Sequence, residues 1–439
     1  MTDSTIAKPE WSGPKTRSAT IVLTMVCVYM FLIIERPWES IRYLNAIPIE
    51  RTFAIAMIVV AFLHGKMKTV TSPTNKWVYG LLALHFLLAP SAFRTEYAVD
   101  QGIIYAKMVV LYMLMLSTAK DEGALRVLVK AYAFSMIFYV THSLWEYSNG
   151  RHEYRMGISR MIGVDSTFND PNAFGASIVL SLPFIYALLR TETSSALRWL
   201  YRGYFLLAVA CVVLTGSRSS FVGLIFLLVL WGGAQKGKQK LVVLTASVLA
   251  IGILWITMPE EKKDRIRTLW DENAGPANAH ESAQGRLIGF NASWKMFTRV
   301  PLTGVGAGGK NYGGYRYTNQ IDGAGNECDM QAHVLYGEVL AEFGVFGAMF
   351  FAGLVASTVR CCLAARKKVS GIRADVCFSS ILLHSILCSL ALLLLFGFGG
   401  HNFYRPMWLW LAAWGGAIYR LYHEQPDRTA FMIKTDANR

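Results

Sequence analysis

Residues 376–398, VCFSSILLHSILCSLALLLLFGF, decide the fold class of this protein. The stretch runs for 23 residues without an aspartate, glutamate, lysine or arginine. An α-helix rises about 1.5 Å per residue, so a helix of this length crosses the roughly 30 Å hydrocarbon layer of a bilayer. A helix also satisfies its own backbone polar groups where no water is present. The stretch therefore predicts a transmembrane helix.

Similar apolar blocks recur along the whole chain of 439 residues, of which 54% are hydrophobic and 16% are charged. An ordinary globular domain carries about 25% charged residues, so the composition is not that of a water-soluble protein. The candidate spans lie near residues 18–35, 51–64, 77–93, 101–118, 123–146, 171–189, 199–215, 219–233, 241–258, 335–358, 376–398 and 403–422. The sequence predicts an all-α, polytopic membrane protein of about 12 transmembrane helices.

Lysine and arginine residues indicate the orientation, because short cytoplasmic loops collect them. With the N-terminus inside, 23 basic residues fall on the inner segments and nine on the short outer loops. Lys107 and Lys130 lie within spans and are not counted. We therefore expect both termini to be cytoplasmic. The net charge of +14 is spread over short loops rather than one soluble face. A nucleic-acid-binding protein would collect its basic residues on one face, so this distribution excludes nucleic acid as a partner. The expected partners of the apolar blocks are membrane lipids.

One connection, residues 259–334, is long, polar and rich in glycine, and it falls on the outer side. Leu287, Phe290, Trp294 and Phe297 recur in it at helical spacing, which predicts an amphipathic helix resting on the bundle or in the membrane interface. The expected organisation is spans 1–9 in residues 1–258, the outer loop in 259–334, spans 10–12 in 335–422 and a cytoplasmic tail in 423–439.

Arg218 is the first candidate site residue, since it lies between two apolar blocks with almost no loop. A guanidinium near hydrocarbon costs at least about 2.5 kcal/mol unless a partner or a water-filled cavity receives it. Arg218 either snorkels to the outer interface or forms an anion site with the Ser217 hydroxyl and the following helix N-terminus. Phosphate is the natural anion for such a site. Arg286, beside the apolar stripe of the loop helix, is a second candidate on the same side.

His333 begins the tenth span at its outer end, where it is either a satisfied interfacial residue or a catalytic one. Glu338 and Glu342 follow it on one helix face, at a spacing of four residues. Carboxylates inside a membrane are candidate functional residues, although the same pair could serve to grip a neighbouring arginine.

Further polar residues occupy the same outer side. Asn169, Asp170 and Asn172 stand at the start of the sixth span, where Asp170 before Pro171 is also an ordinary helix start. His401 lies with Asn402 and Arg405 in the turn between the last two spans. This convergence predicts one functional site on the outer face.

These segments resemble the bacterial O-antigen ligase and O-antigen polymerase superfamily, integral-membrane glycosyltransferases that use undecaprenyl-diphosphate-linked glycans. The segments that carry the resemblance are Phe168-Asn169-Asp170-Pro171-Asn172, Thr215-Gly216-Ser217-Arg218-Ser219, Gly285-Arg286 with Trp294 and Met296, Pro301-Leu302-Thr303-Gly304-Val305-Gly306, and Ala332-His333 leading to Glu342-Phe343-Gly344. Their order and their common side of the membrane make the match more specific than any single motif.

The ligases of this superfamily have a histidine followed by Asn, Ser or Gln, nine residues, Gly, two residues, and Gly, Thr or Tyr. Here His333 is followed by Val334, nine residues, Gly344, two residues and Gly347. The spacing fits and the second position does not. Val334 therefore leaves open whether this chain resembles a ligase or a polymerase more.

The resemblance implies a role for each matching position. Arg218 and Arg286 would hold the diphosphate of the lipid carrier, and His333 would orient or deprotonate the acceptor hydroxyl. Possible supporting residues are Asn169, Asp170, Asn172, Ser217, Glu338, Glu342 and His401.

The resemblance also implies the partners and the location. The donor would be an undecaprenyl-diphosphate-linked glycan, the acceptor lipid A-core or another glycan, and the site would face the periplasm from the bacterial inner membrane. The long outer loop would then be periplasmic. We predict no cofactor and no metal, because two arginines can neutralise the diphosphate. Glu327 and Asp329 come closest to a metal-binding pair and are interpreted as solvated loop charge.

Three other functions remain open at this point. A polymerase would use the same donor with a carrier-linked repeat as acceptor, and a third relative would transfer the glycan to protein. A transporter would also have about twelve spans with charges inside the membrane. The absence of an internal repeat in the sequence, and charges near the outer surface rather than the midplane, favour the enzyme.

Overall fold

The computed structural model describes residues 17–41, 43–67, 69–155, 158–165, 169–235, 237–268, 271, 277–321, 332–369 and 377–423. Within these ranges the chain is mostly helical, with one short antiparallel hairpin in which Glu153 pairs with Arg160.

The helices are α1 (Arg17–Glu35), α2 (Pro37–Ser40), α3 (Ile49–Leu63), α4 (Asn75–Leu87), α5 (Thr95–Thr118), α6 (Glu122–Ser148), α7 (Pro171–Thr191), α8 (Ser195–Thr215), α9 (Arg218–Ala234), α10 (Gly237–Thr257), α11 (Glu260–Arg267), α12 (Ala277–Arg299), α13 (Gly309–Thr318), α14 (Leu335–Val369), α15 (Phe378–Phe396) and α16 (Met407–His423). The strands are β1 (Glu153–Arg155) and β2 (Ile158–Arg160), and a 3₁₀ turn spans Ala89–Ser91.

Each of the twelve predicted blocks coincides with a helix, but fewer of these helices reach the length and apolarity of a full membrane span. In the part of the chain that the structure describes, seven do so: Thr20–Ser40, Thr95–Thr118, Glu122–Ser148, Pro171–Thr191, Ser195–Thr215, Leu335–Val369 and Phe378–Phe396. The helices α3 and α4 have 15 and 13 residues, which corresponds to only about 20 Å of helix. The prediction of a multi-pass helical protein is confirmed at this coarser level.

The centre of the bundle is α7, whose side chains are buried along most of its length. It packs against α8, α9 and α15, while α14 packs against α16 and α4. Phe184 of α7 meets Trp414 of α16 edge to face, with ring centroids 5.0 Å apart. This packing brings the first residues of α7 and α14 next to the turn between α15 and α16.

A break inside α14 was not predicted from the sequence. Gly344 has φ 61° and ψ −152°, so the helix is interrupted there. Residues 301–306 dock into the interruption: Val305 N donates to Ala341 O at 2.8 Å, Gly306 N to Glu342 O at 3.1 Å, and Val345 N to Pro301 O at 2.8 Å. The docked segment satisfies backbone groups that the break leaves without helical partners.

The predicted helix of the long connection is present as α12, and the four residues of the predicted stripe are divided between exposed and half-buried positions. Leu287 and Trp294 are 62% and 50% exposed, whereas Ala292, Ser293 and Met296 are buried. Small residues face α14 because the helices approach closely there: a Cβ on Gly337 would lie 2.7 Å from Ser293 Oγ. Leu287 and Trp294 therefore lie on the outer side of α12, whereas Phe290 and Phe297 are half-buried.

Candidate functional site

The candidate site is a cavity of about 1080 Å³ in the helical bundle. One part of its wall, here called the histidine wall, comes from the starts of α7, α9 and α14, from α12, from the end of α15, and from the turn at residues 397–406 with α16. Another part, here called the N-terminal wall, comes from α1, α2, α3 and α5. The volume is at the upper end for small-ligand sites, which suits a bulky substrate.

The turn between α8 and α9 presents Arg218. Gly216 adopts φ 57° and ends α8, and Ser217 caps α9 by accepting a hydrogen bond from Ser220 N at 3.3 Å. Ser217 is buried and lies behind the cavity wall. The Ser217 hydroxyl thus starts the helix, while Ser219 lies on the cavity wall.

Two cations that the sequence analysis did not select hold this turn. Arg160 Nε donates to Thr215 O at 2.9 Å, and Lys262 Nζ donates to Ser159 O and, at 3.4 Å, to Leu214 O. They satisfy carbonyls at the end of α8, where the helix dipole also favours positive charge. Burial and the nearby Arg160 lower the pKa of Lys262 to about 8.

The two predicted diphosphate-binding arginines are near each other but not equivalent. Arg286 lies on the cavity wall, whereas Arg218 is buried behind it and donates from Nη1 to Thr268 Oγ1 at 2.7 Å. Their charges are close enough to repel each other. Burial lowers the pKa of Arg286 while Asp170 opposes this effect. A guanidinium stays charged under such conditions, so both arginines bring positive charge to this part of the cavity.

Asp170 and Asn172 lie on the cavity wall at the start of α7, and Asn169 is exposed outside it. Asp170 caps the helix by accepting from Asn172 N at 2.9 Å and Ala173 N at 2.8 Å. Asn172 Oδ1 accepts from Arg160 at 3.1 Å. Asp170 is thus the N-cap of α7, and its carboxylate also faces the cavity.

His333 and His401 meet on the histidine wall, with ring centroids 5.7 Å apart and the rings edge to face. His333 has φ 52°, an uncommon backbone conformation for a residue other than glycine. Leu335 N, two residues later, donates to Gly397 O at 2.8 Å and ties this turn to the turn that carries His401. Burial and the neighbouring His333 and Arg405 lower the pKa of His401 to about 4, so His401 is neutral near pH 7.

The two predicted carboxylates hydrogen-bond to backbone groups and to a tyrosine, and Arg405 lies close enough to Glu338 for their opposite charges to attract. Glu338 lines the cavity and accepts from Phe403 N at 3.0 Å. Glu342 lies behind the wall and accepts from Gly308 N at 2.6 Å and from the Tyr404 hydroxyl. Both carboxylates therefore fix the 397–406 turn or the 306–308 segment to α14.

Arg405 lies on the histidine wall and was noted in the sequence only as a neighbour of His401. Its Nη1 donates to Ser177 Oγ at 3.0 Å and to Ala173 O at 3.4 Å, which binds the 397–406 turn to α7. Burial lowers the pKa of Arg405 to about 10. An arginine before an apolar helix can be predicted to bind a neighbouring helix, but the sequence does not show which helix that is.

Comparison with known families bears directly on this cavity. Residues 203–352 match the family model described as O-antigen ligase. The resemblance to the O-antigen ligase superfamily is confirmed. The matched O-antigen ligase segment covers about a third of the chain, from the start of α8 to the middle of α14. No curated protein sequence matches the chain.

The O-antigen ligase segment contains Arg218, Arg286 and His333, together with Glu338 and Glu342. Asp170, Asn172, His401 and the N-terminal wall lie outside it. The structure also explains why the glycine-rich run at 301–306 and the Glu-Phe-Gly sequence at 342–344 occur together, since these two segments hydrogen-bond to each other at the break in α14.

Proposed function

We propose that this protein transfers a glycan from undecaprenyl diphosphate to a hydroxyl of lipid A-core, on the periplasmic face of the bacterial inner membrane. The observation that carries the proposal is the placement of Arg286 and His333 on one cavity wall, within a segment that matches the O-antigen ligase family. Both termini would be cytoplasmic, and the connection containing α11, α12 and α13 would be periplasmic.

The proposed reaction breaks the bond between the anomeric carbon and a diphosphate oxygen and forms a bond from the acceptor oxygen to that carbon. Undecaprenyl diphosphate leaves with additional negative charge. Arg286, with Arg218 behind it, would stabilise this charge through fixed guanidinium donors. The closeness of the two guanidinium groups, with Arg286 on the cavity wall, supports a site for an anion.

The acceptor hydroxyl must lose its proton as it attacks. His333 is the candidate base, because an imidazole can accept a proton near neutral pH and this one faces the cavity. The neighbouring His401 is neutral, so it would place no positive charge beside His333 that disfavours the protonated form. Asp170 lies on the same wall and would help to keep a protonated His333 stable after transfer.

A repeat-unit polymerase is the second candidate, because Val334 departs from the ligase pattern. Transfer to protein is a third. These alternatives share the donor and differ only in the acceptor. They therefore predict different lipopolysaccharide profiles when the gene is deleted.

The deciding experiment is deletion of the gene in its host, followed by separate gel analysis of lipopolysaccharide and of carrier-linked glycan. Long polymer that stays on undecaprenyl diphosphate and is absent from lipid A-core identifies the ligase. Single repeat units on lipid A-core identify the polymerase. An unchanged profile contradicts both functions and directs attention to glycoproteins.

The same strain tests the site. His333→Ala and Arg286→Ala should fail to restore the profile although the protein reaches the membrane. His64→Ala and Arg299→Ala are matched controls, since both residues are exposed and lie away from the cavity wall. Full complementation by both site variants would refute the assignment of Arg286 and His333.

A further inference from the structure

The N-terminal wall of the cavity carries polar groups that the proposed chemistry does not use. Arg36 and Trp38 lie where α1 gives way to α2, Glu50 begins α3, and Lys107 projects from the middle of α5. None of them belongs to the O-antigen ligase segment, and none was selected from the sequence.

Glu50 is the centre of this group. Its Oε1 atom lies 3.9 Å from Lys107 Nζ and 3.4 Å from the Tyr29 hydroxyl, which donates to it. The Glu50 and Lys107 side chains are nevertheless 36% and 44% exposed. The pair is thus loosely formed and keeps free hydrogen-bonding capacity on the cavity side.

The Glu50–Lys107 pair lies beside helices that are long enough to span a membrane, so the exposure of its side chains needs an explanation. Tyr29 lies six residues before the end of α1, about 9 Å along the helix, and Lys107 lies within an apolar stretch long enough to span a membrane. Charges at such depth are costly when they face hydrocarbon, and they are characteristic of water-filled cavities and substrate paths. A cavity lined by Glu50 and Lys107 is therefore suited to water or a polar ligand.

A glycan transfer brings two substrates to one base. The diphosphate of the donor has its cations on the histidine wall, so the acceptor needs contacts on another part of the cavity. Glu50, Lys107 and Trp38 are suited to a sugar ring: a carboxylate accepts hydrogen bonds from hydroxyls, an ammonium donates them, and an indole packs on the apolar face of a pyranose. The opposite charges of Glu50 and Lys107 cancel, which favours hydroxyls over a phosphate.

We propose that Trp38, Glu50 and Lys107 form a subsite that binds a pyranose ring of the acceptor glycan. The subsite rests on the proposed function, because it assigns the second substrate of that reaction. It sets which acceptor sugar presents its hydroxyl to His333 and leaves the donor contacts unchanged.

The test uses the full chain in nanodiscs, with undecaprenyl-diphosphate-linked glycan and lipid A-core purified from the host as the two probes. Each substrate is varied separately for Trp38→Ala, Trp38→Phe, Glu50→Gln and Lys107→Met. We expect Trp38→Ala and Glu50→Gln to raise the KM for lipid A-core about tenfold, equivalent to about 1.4 kcal/mol of acceptor binding. The donor KM should stay constant, and Trp38→Phe should retain most of the acceptor binding.

Two matched controls separate binding from folding. Trp145→Ala removes an indole that is 61% exposed and away from the cavity, and Lys130→Met removes another helix-borne ion pair, 2.6 Å from Glu192. Both should leave the acceptor KM unchanged. The conservative variant Glu50→Gln, which should raise the acceptor KM, keeps the test valid if Trp38→Ala does not fold.

The outcomes distinguish the two proposals. Wild-type transfer that His333→Ala abolishes, together with unchanged acceptor KM in all subsite variants, refutes the subsite and leaves the proposed function standing. A rise in the donor KM instead of the acceptor KM also refutes it. No transfer to lipid A-core by the wild-type protein refutes the function and the subsite together.

Discussion

The break in α14 predicts that Gly344→Ala destabilises the protein and reduces glycan transfer. Gly344 has φ 61° and ψ −152°, a region of backbone space that residues with a Cβ essentially do not enter. The substitution therefore perturbs the backbone itself and introduces no change of charge or polarity.

The expected magnitude follows from two contributions. A Cβ at this position would lie 2.4 Å from Pro301 O and 2.6 Å from the Leu302 carbonyl carbon, both of which are backbone atoms. Backbone strain alone costs up to about 3 kcal/mol. If residues 301–306 undock, three backbone hydrogen bonds of about 1 kcal/mol each are also lost. We expect a loss of about 3 to 6 kcal/mol in unfolding free energy.

Thermal unfolding of the purified protein in detergent measures this effect, and transfer in nanodiscs measures its functional consequence. Gly203→Ala is the matched control, because nothing lies within 4 Å of a Cβ there and alanine is the better helix former. An unfolding midpoint of Gly344→Ala equal to that of Gly203→Ala would refute the account of the break. A lower midpoint with normal transfer would show that the docked segment supports stability alone.

Four further predictions test the electrostatics and the topology. Arg286→Lys should lower the transfer rate about 100-fold, because a single ammonium cannot replace a fixed two-donor grip on phosphate; a rate near that of the wild type contradicts this role. Since the pKa of His401 is lowered from 6.5 to about 4, chiefly by burial, the unfolded chain binds a proton in that window that the folded chain does not. Stability should therefore fall as the pH drops from 6.5 to 4, and His401→Asn should show a smaller fall in melts recorded across this range; an equal fall would contradict the assignment. Exhaustive dialysis against EDTA should leave transfer unchanged, whereas loss that Mg²⁺ restores would overturn the prediction of metal independence. A fluorescent protein fused after residue 439 should fluoresce and alkaline phosphatase at the same point should be inactive, and the reverse pattern would invert the topology.

The helices of the twelve predicted blocks were predictable because each contains a run of apolar residues, whereas the charged α11 and the polar α13 were not predicted. Residues 376–398 needed no tertiary information, and α15 occupies Phe378–Phe396 within them. The length of each helix was less predictable. Helix α4 ends at Leu87, three residues before Pro90, whereas α14 continues to Val369 beyond its apolar block.

The histidine wall was partly predictable, because its members stand at helix ends on one side of the bundle. Arg286, His333, Asp170, Asn172, Glu338 and His401 reach the cavity, as the convergence indicated. The position of Arg218 behind the wall depends on Thr268, which is 50 residues away in the chain. No local pattern encodes such a contact.

Two features could not be read from the sequence. Glu-Phe-Gly at 342–344 is compatible with a continuous helix, and only the docked segment at 301–306 reveals the break. Lys107 stood as an isolated charge within an apolar block until the fold placed Glu50 beside it. Pairing between distant helices is a tertiary property, which hydrophobic periodicity does not report.

The cavity is lined by residues inside the O-antigen ligase segment, such as Arg286 and His333, and by residues outside it, such as Asp170 and Glu50. In evolutionary terms this arrangement is modular. If the proposed acceptor subsite is correct, substitutions in α1, α2, α3 and α5 would change which acceptor enters without altering the arginines and the histidine. A chimaera that exchanges residues 17–118 between two relatives would then carry acceptor preference with it.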